Sequence, residues 1–322
     1  MATYKEINGT AVQNVAGDPS NPVEGEVWYN STAGTFRIYK QSVSGVWATG
    51  NNLNHEKYSG AGAGTQTAAL AFGGKPPPRV FTESYNGTNW TEVNSINTAR
   101  ENLAGCGASN TAALAFGGDL DPGLAAQTET WNGTNWTEVN DLNTARQLLA
   151  GCGTNTAALT FGGASAGEGA ERITESWNGS NWTEVNDLNT GRRATGAAGT
   201  QTAALNFGGD PNSVLTESWN GTNWTAVSAM NTGRSQLGGA GIQTAALAFG
   251  GLFAGSPDQS ALTELYNGSN WTEIANLNTA REKLSGAGTS TAGLAFGGVL
   301  APRVLTEEFT APATVTETIT TT

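Results

Sequence analysis

The chain is poor in the residues that most often carry chemistry or cross-links. Its 322 residues include only one histidine and two cysteines, too few for a disulfide framework. Lysine and arginine number 15 against 27 acidic residues, so no basic surface is expected to displace counterions from a nucleic acid. No run of 18 apolar residues is present, which argues against a membrane-spanning helix.

The first residues, MATYKEINGTAVQ, contain neither a basic segment nor an apolar segment of the kind found in secretory signals. Cytoplasmic synthesis followed by assembly or release is therefore the expectation. What is abundant is glycine, at 44 residues, together with threonine and asparagine, while charged residues make up only 13%. This composition favours many short strands joined by tight turns.

The chain repeats itself. One tryptophan recurs at spacings of 43, 46, 46, 42 and 47 residues, at Trp47, Trp90, Trp136, Trp182, Trp224 and Trp271. Each unit reads as a Gly-rich inner strand, a second strand ending in Gly-Gly, a third ending in an aromatic residue, and an outer strand that begins with the repeated tryptophan. A period of 40–50 residues with this pattern predicts four-stranded propeller blades.

These units resemble kelch repeats through the Gly117-Gly118 pair, the aromatic residue of the third strand, the tryptophan of the fourth and the basic residue that follows. The resemblance spans 46–309, with only four residues between Trp131 and Trp136 and without the usual kelch histidine. It implies an all-β fold: a six-bladed kelch-like propeller of four-stranded antiparallel blades. An N-terminal outer strand (46–50) is expected to close the ring by joining the C-terminal blade through 304–309.

Acidic and basic residues recur once per unit. The acidic positions are Glu83, Glu129, Glu175, Glu217, Glu264 and Glu307, and the basic positions are Lys57, Arg100, Arg146, Arg192, Arg234 and Arg281. Equal numbers of both signs predict an inter-blade network of ion pairs or hydrogen bonds. Catalysis needs one asymmetric constellation, so we expect no enzyme and no cofactor, with a glycosidase-type carboxylate pair as the alternative.

The remaining reactive residues have structural interpretations. Cys106 and Cys152 occupy the position that alanine fills in the other units, which predicts small buried thiols; a disulfide between neighbouring blades is the alternative. His55 aligns with the threonine of the LNTAR stretch and is expected to be an ordinary loop residue. The Asn-Gly pairs are typical of hairpin turns and account for the Asn-x-Thr/Ser sequons.

The units differ mainly in the loop between the second and third strands, and alternating strand direction places all these loops on one face. Binding specificity commonly resides in variable loops on a rigid scaffold. The predicted partner-contact residues of these loops are Arg79, Asp121, Glu168, Glu171, Asp210, Phe253, Asp258 and Arg303.

The ends have a different character from the repeats. Residues 1–45 contain a predicted hairpin, EVWYN-STAGT-FRIYK, which resembles short stretches of phage tail-fibre and other virion appendage proteins. The resemblance implies an attachment segment that contacts other virion proteins. Residues 310–322 form a Thr-rich tail that is expected to be disordered or to add a strand to a partner.

The expected function is non-enzymatic. The chain would be a virion-surface appendage protein, such as a tail-fibre protein, assembled after cytoplasmic synthesis. It would recognise a host glycan or protein receptor through the variable loops, without nucleic acid and without a membrane span. The alternatives are a multivalent glycan-binding lectin with one site per blade at the aromatic hairpins, and a purely structural capsid or tail decoration protein.

Overall fold

The computed structural model describes residues 12–20, 26–41, 45–167, 169–210, 213–253, 258–312 and 314–318. The predicted contact residue Glu168 lies outside these ranges. The chain divides into two compact units. One is Val46–Ala311, and the other combines Met1–Gly45 with Pro312–Thr322. No helix occurs among the described residues, and therefore none that could cross a membrane.

The smaller unit is one four-stranded sheet in the order β1 (Gln13–Val15), β2 (Val27–Asn30), β3 (Thr35–Gln41) and β30 (Thr314–Thr318). Strands β2 and β3 are antiparallel and form the hairpin that the sequence predicts. Trp28 is fully buried, and its indole N–H donates to Asp18, which also accepts from Asn30 and Arg37. Strand β30 pairs antiparallel with β3, so the tail adds a strand to the chain's own hairpin.

The larger unit consists of short antiparallel strands in six four-stranded sheets within its described residues. The strands of these sheets are β4 (Val46–Thr49), β5 (Ala61–Thr65), β6 (Ala68–Phe72), β7 (Thr82–Tyr85), β8 (Trp90–Val93), β9 (Ala104–Ser109), β10 (Ala112–Phe116), β11 (Thr128–Trp131), β12 (Trp136–Val139), β13 (Ala150–Gly153), β14 (Ala158–Phe161), β15 (Thr174–Trp177), β16 (Trp182–Val185), β17 (Gly196–Gly199), β18 (Ala204–Phe207), β19 (Thr216–Trp219), β20 (Trp224–Val227), β22 (Gly238–Ile242), β23 (Ala245–Phe249), β25 (Thr263–Tyr266), β26 (Trp271–Ile274), β27 (Ser285–Gly288), β28 (Ala292–Phe296) and β29 (Thr306–Thr310). A separate two-stranded pair joins β21 (Arg234–Ser235) and β24 (Leu252–Phe253).

Five of the sheets take their strands from one continuous stretch, in the order inner, second, third and outer strand. The sixth sheet joins β27, β28 and β29 with β4, from the other end of the unit. Phe309 on β29 lies opposite Trp47 on β4, in the same register as Trp131 opposite Trp136 in an uninterrupted sheet. Both ends of the unit therefore contribute to one sheet.

The core lies between neighbouring sheets. The second strands carry an Ala-Leu-x-Phe pattern whose residues are buried on both faces, whereas only the tryptophan of each outer strand is fully buried. Leu70 and Phe72 of one sheet pack with Ala115 and Trp136 of the next, and the Phe72 and Trp136 ring centroids are 4.9 Å apart. Burial of these apolar surfaces between sheets supplies the main driving force for folding.

The inner strands approach each other closely, because β5 contacts both β9 and β27. A Cβ atom at Gly105 would lie 2.4 Å from Cζ of Phe72, closer than any side chain tolerates. Glycine is thus required at this position by the neighbouring sheet. This explains why the inner strands combine glycine with alanine or cysteine.

Candidate functional site

The recurring acidic and basic residues form buried ion pairs. Arg146 lies in the segment that connects β12 to β13, and its Nη2 donates to Oε1 of Glu175 on β15 at 2.9 Å. Its Nη1 donates to the carbonyl oxygens of Gly162 and Ile173 at 2.7 and 3.0 Å. The equivalent pairs, at 2.8 to 2.9 Å, are Arg100–Glu129, Arg192–Glu217, Arg234–Glu264 and Arg281–Glu307. Each pair fastens a connecting segment to the third strand of the sheet that follows.

Burial and pairing act in opposite directions on these guanidinium groups. Burial lowers the pKa of Arg146, and the adjacent Glu175 carboxylate opposes that shift. The carboxylate has further partners, because Asn143 donates to Glu175 from both its backbone N–H and its side-chain amide at 2.8 Å. A carboxylate that is fully buried and saturated with donors in this way is a structural group.

Lys57 is the exception among the six positions. Its Nζ donates to the carbonyl oxygens of Gly73 and Phe81, both at 3.0 Å. The Glu83 carboxylate accepts instead from the backbone N–H groups of Asn54 and His55 and from the Asn54 side chain. Burial lowers the pKa of Lys57 to about 8, and the nearby Glu83 carboxylate opposes the shift. Among the described residues of the series, Lys57 is the basic residue that forms no ion pair with the glutamate of its unit.

A second repeated contact was not predicted from the sequence. In each of the six four-stranded sheets of the larger unit, the tryptophan of the outer strand donates its indole N–H to a threonine hydroxyl on the third strand of a neighbouring sheet, at 2.9 to 3.1 Å. The pairs are Trp47–Thr263, Trp90–Thr306, Trp136–Thr82, Trp182–Thr128, Trp224–Thr174 and Trp271–Thr216. The signal was present, because a threonine directly precedes each repeated glutamate.

The aromatic residues of the hairpins are not available to a ligand. Trp131 and Trp136 are 1% and 5% exposed, and their ring centroids are 5.4 Å apart. A sugar-binding platform needs an exposed aromatic face. The geometry therefore disfavours the lectin alternative at these hairpins.

The variable loops lie beside the connecting segments. The loops are 75–81, 119–127, 164–173, 210–215, 252–262 and 299–305, and we refer to their described residues with the adjoining connections as the loop face. Backbone N–H groups of the connections donate to loop carbonyl oxygens, as from Ile96 to Val80 at 3.1 Å and from Leu142 to Ala126 at 2.9 Å. The same contact recurs from Leu188 to Arg172 at 3.0 Å. The base of each loop is therefore held rigidly.

Two of the predicted partner-contact residues bind each other. Arg79 Nη2 lies 2.7 Å from Oδ2 of Asp121 on the adjacent loop, and Arg79 Nε lies 3.7 Å from Glu101, which also pairs with Lys75. The Arg79 guanidinium lowers the pKa of Asp121. Arg79 is mostly buried, whereas the Asp121 side chain remains 66% exposed. Asp121 is thus the member of this pair that can reach a partner.

The other predicted contact residues are spread over the loop face. Arg303 pairs with Glu56 at 3.3 Å and lies 5.1 Å from the Tyr58 ring, and Asp210 pairs with Arg193 at 2.8 Å. Glu171 accepts a hydrogen bond from Ser165. Phe253 is half-buried on β24, and Asp258 is exposed. These residues do not form one cluster.

The two cysteines and the histidine make structural contacts. Cys106 and Cys152 are buried free thiols on neighbouring inner strands, and burial raises the pKa of both, that of Cys152 to about 12. His55 stacks on Phe81 with ring centroids 3.8 Å apart, and its Nε2 lies 2.9 Å from Glu92. Within the described ranges, no group of three or more His, Cys, Asp or Glu residues is arranged to hold a metal.

A closed ring of backbone hydrogen bonds was also missed by the sequence analysis. Six residues lie two positions after the repeated basic residue and have φ between 50 and 55°: Ser59, Asn102, Leu148, Ala194, Gln236 and Lys283. Each donates its N–H to the carbonyl of the preceding member at 2.7 to 3.0 Å, and Ser59 donates to Lys283. We call these six residues the hydrogen-bonded ring. A cavity of about 250 Å³ on the loop face is lined by Asn102, Leu148, Ala194, Gln236 and Lys283 of the ring.

The chain matches no protein-family model and no curated protein. Among solved structures it is similar to one described as the structure of YjhT, with a TM-score of 0.67 and 12% sequence identity. The similarity covers 81% of this chain and 95% of YjhT. The fold is a β-propeller. At this level of identity the likeness shows the propeller architecture alone, and the repeated four-stranded antiparallel sheets agree with it.

Proposed function

We propose that residues 46–311 form a closed, six-bladed, kelch-like propeller that acts as a non-enzymatic binding protein of a virion. Closure is supported by three sets of contacts: the β4–β29 pairing, the six Trp–Thr hydrogen bonds, and the hydrogen-bonded ring. The β4–β29 pairing joins the two ends of the unit within one sheet, and in the other two sets the last unit contacts the first just as its neighbours contact one another. A ring of this kind leaves only short and protected sheet edges.

The observation that carries the binding role is the separation of repeated and variable residues. The repeated glutamates and arginines are buried in ion pairs, and the repeated tryptophans are buried in the core, so neither set can meet a substrate. Diversity in length and side chain is concentrated on the loop face. A uniform, tightly bonded scaffold with one variable face is typical of recognition proteins.

The virion assignment is supported by the smaller unit. Its hairpin has its own polar centre, in which Asp18 accepts from Trp28, Asn30 and Arg37, and its sequence resembles segments of virion appendage proteins. In this proposal the smaller unit contacts other virion proteins, and the loop face contacts a glycan or protein receptor on the host surface.

Location and binding are tested separately. Immunogold electron microscopy of particles from cells that produce the protein should place label on the virion surface, and label confined to cell debris contradicts the virion assignment. Binding of the purified, fluorescently labelled chain to host cells is measured by flow cytometry. The double variant D121N/D258N removes two exposed loop-face charges and should weaken binding at least fivefold.

The matched control is E138Q/E184Q, which removes two exposed acidic charges from outer strands and should leave binding unchanged. Equal losses in both double variants would indicate a general charge effect and contradict loop-face recognition. Hydrolysis of a host glycan by the purified chain would overturn the non-enzymatic assignment.

A further inference from the structure

The side chains of the hydrogen-bonded ring divide into two arcs. Following the order of the backbone hydrogen bonds, Gln236, Lys283, Ser59 and Asn102 are consecutive and polar. Leu148 and Ala194 complete the ring and are apolar. All six side chains are half-buried. The cavity above them thus has a polar side and an apolar side.

The six residues of the ring share a strained backbone conformation but differ in residue type. A positive φ is unfavourable for every residue type in this ring, most of all for one without a short polar side chain, such as Leu148, Ala194 or Lys283. Such conformations persist where the surroundings enforce them, and they cluster at ligand-binding sites. The basic position two residues earlier is nearly uniform, whereas the ring position differs in all six units. The side chains that line the cavity therefore differ from unit to unit.

One charged side chain at this cavity is in no ion pair among the described residues. Arg193 and Asp210 also line the cavity and pair with each other at 2.8 Å. The backbone of Lys283 takes part in the ring, but its side-chain ammonium makes no hydrogen bond or ion pair with any described residue. An ammonium group without a counter-charge is conspicuous in a chain with a net charge of −12.

Two side-chain amides, those of Gln236 and Asn102, belong to residues that line the same cavity. The Gln236 side-chain oxygen is buried without a hydrogen-bond partner among the described residues, and its NH₂ group is a donor that a ligand in the cavity could use. On the other side of the polar arc, the Asn102 amide donates to Gln147 at 3.2 Å.

We propose that this cavity binds a carboxylate group that carries a small apolar portion. The carboxylate pairs with the Lys283 ammonium and accepts from the Gln236 amide, because charge-assisted hydrogen bonds are the strongest available there. The apolar portion contacts Leu148 and Ala194. The inference deepens the proposed function, on which it rests only for the source of the carboxylate: a receptor surface or a free small molecule.

Butyrate is a suitable probe because it combines a carboxylate with a short apolar chain, and butyramide is its uncharged match. Binding is followed by amide ¹⁵N–¹H NMR on the full chain. We expect butyrate to shift the resonances of Ser59, Asn102 and Lys283 saturably, at millimolar concentration, and butyramide to shift them at least tenfold more weakly. Equal effects of the two compounds overturn the proposal.

Variants locate the site. K283M should weaken butyrate binding at least tenfold, whereas R303Q removes another loop-face charge and should change it less than twofold. L148S should reduce the preference for butyrate over acetate. Unaltered spectra elsewhere in K283M show that the variant is folded. Butyrate binding that is unchanged in a folded K283M contradicts the proposal.

The two sources give different results on host cells. If the receptor supplies the carboxylate, K283M weakens cell binding and butyrate competes with it. If the ligand is a free small molecule, K283M binds cells normally but no longer binds butyrate. Both results support the carboxylate site. Failure of the proposed function is distinct, because the chain would then bind no host cell although butyrate still binds.

Discussion

The indole N–H of Trp136 donates to the hydroxyl of Thr82, which lies 54 positions earlier in the chain and on the neighbouring sheet, at 3.1 Å. Both residues are buried. A buried indole N–H without an acceptor costs free energy, so the threonine gives the tryptophan one favourable position between the sheets. This bond specifies how adjacent sheets fit together, in addition to the apolar contacts that hold them.

We therefore expect Thr82→Val to destabilise the larger unit by about 1–2 kcal/mol, because the isosteric valine leaves the Trp136 N–H unsatisfied. The measurement is urea unfolding, in which the midpoint should fall without a change in slope. Thr137→Val is the control, since Thr137 is exposed on an outer strand. A similar midpoint shift in the control would show that the hydrogen bond between Trp136 and Thr82 does not contribute specifically to stability.

Lys57→Arg should stabilise the larger unit by about 1 kcal/mol at pH 7. Arginine can bond both the carbonyl oxygens that Lys57 now contacts and the Glu83 carboxylate, as Arg146 does with Glu175. The reciprocal variant Arg146→Lys should lose that carboxylate contact and be destabilised. Thermal unfolding of the two variants tests this explanation. The melting temperature should rise in K57R and fall in R146K, and shifts of the same sign would contradict the explanation.

Lys57 also gives stability a defined pH dependence. Burial lowers its pKa to about 8 in the folded chain, from an ordinary value of 10.5. Between these values the unfolded chain holds more protons, so the free energy of unfolding rises with pH. Arginine stays charged between pH 8 and 10.5. Over this range the free energy of unfolding of the chain with Lys57 should therefore rise by up to about 3 kcal/mol relative to that of K57R. Parallel pH profiles for the two proteins would contradict this assignment.

Asn206 is a buried polar residue without a partner. It lies on β18, and neither side-chain polar atom has a hydrogen bond among the described residues. The equivalent position holds Ala71 or Ala115 in other sheets. Asn206→Ala should raise stability by about 1 kcal/mol, because it removes an unsatisfied amide. Ala115→Asn is the reverse test in chemical denaturation, and a stabilising effect there would refute the explanation.

The two thiols should be inert in the folded chain. Both are buried and free, and burial raises the pKa of each, so little reactive thiolate exists at pH 8. We expect a chromogenic disulfide reagent to label Cys106 and Cys152 only at the rate of unfolding, and both at once in urea. Fast labelling under native conditions would indicate an accessible thiol.

The repeat made the strand pattern predictable. A tryptophan spaced every 42 to 47 residues and a diglycine in each unit predicted the four-stranded sheets. Equal numbers of acid and base predicted a network of ion pairs or hydrogen bonds, of which Arg146–Glu175 is one pair. These features depend on residues that recur, so a single chain supplies several copies of the same evidence.

Features that depend on spatial neighbours were not predictable in this way. The Trp136–Thr82 bond was missed because the pattern gave no means of choosing the partner of a buried indole. The hydrogen-bonded ring was missed because its positive φ values occur at Leu148, Ala194 and Lys283, which are not residues that favour them. Arg79 and Asp121 were expected to face a partner, but their loops are adjacent and the two side chains pair.

The pairing of β4 with β29 has a consequence for synthesis of the chain. Val46–Thr49 leaves the ribosome more than 250 residues before Thr306–Thr310 exists. At bacterial and eukaryotic elongation rates the wait is roughly 10 to 50 seconds. During that time Trp47 has no partner strand, and a truncated product would never acquire one. The last sheet can therefore form only after Thr306–Thr310 has been translated, which makes folding of the larger unit dependent on synthesis of both of its ends.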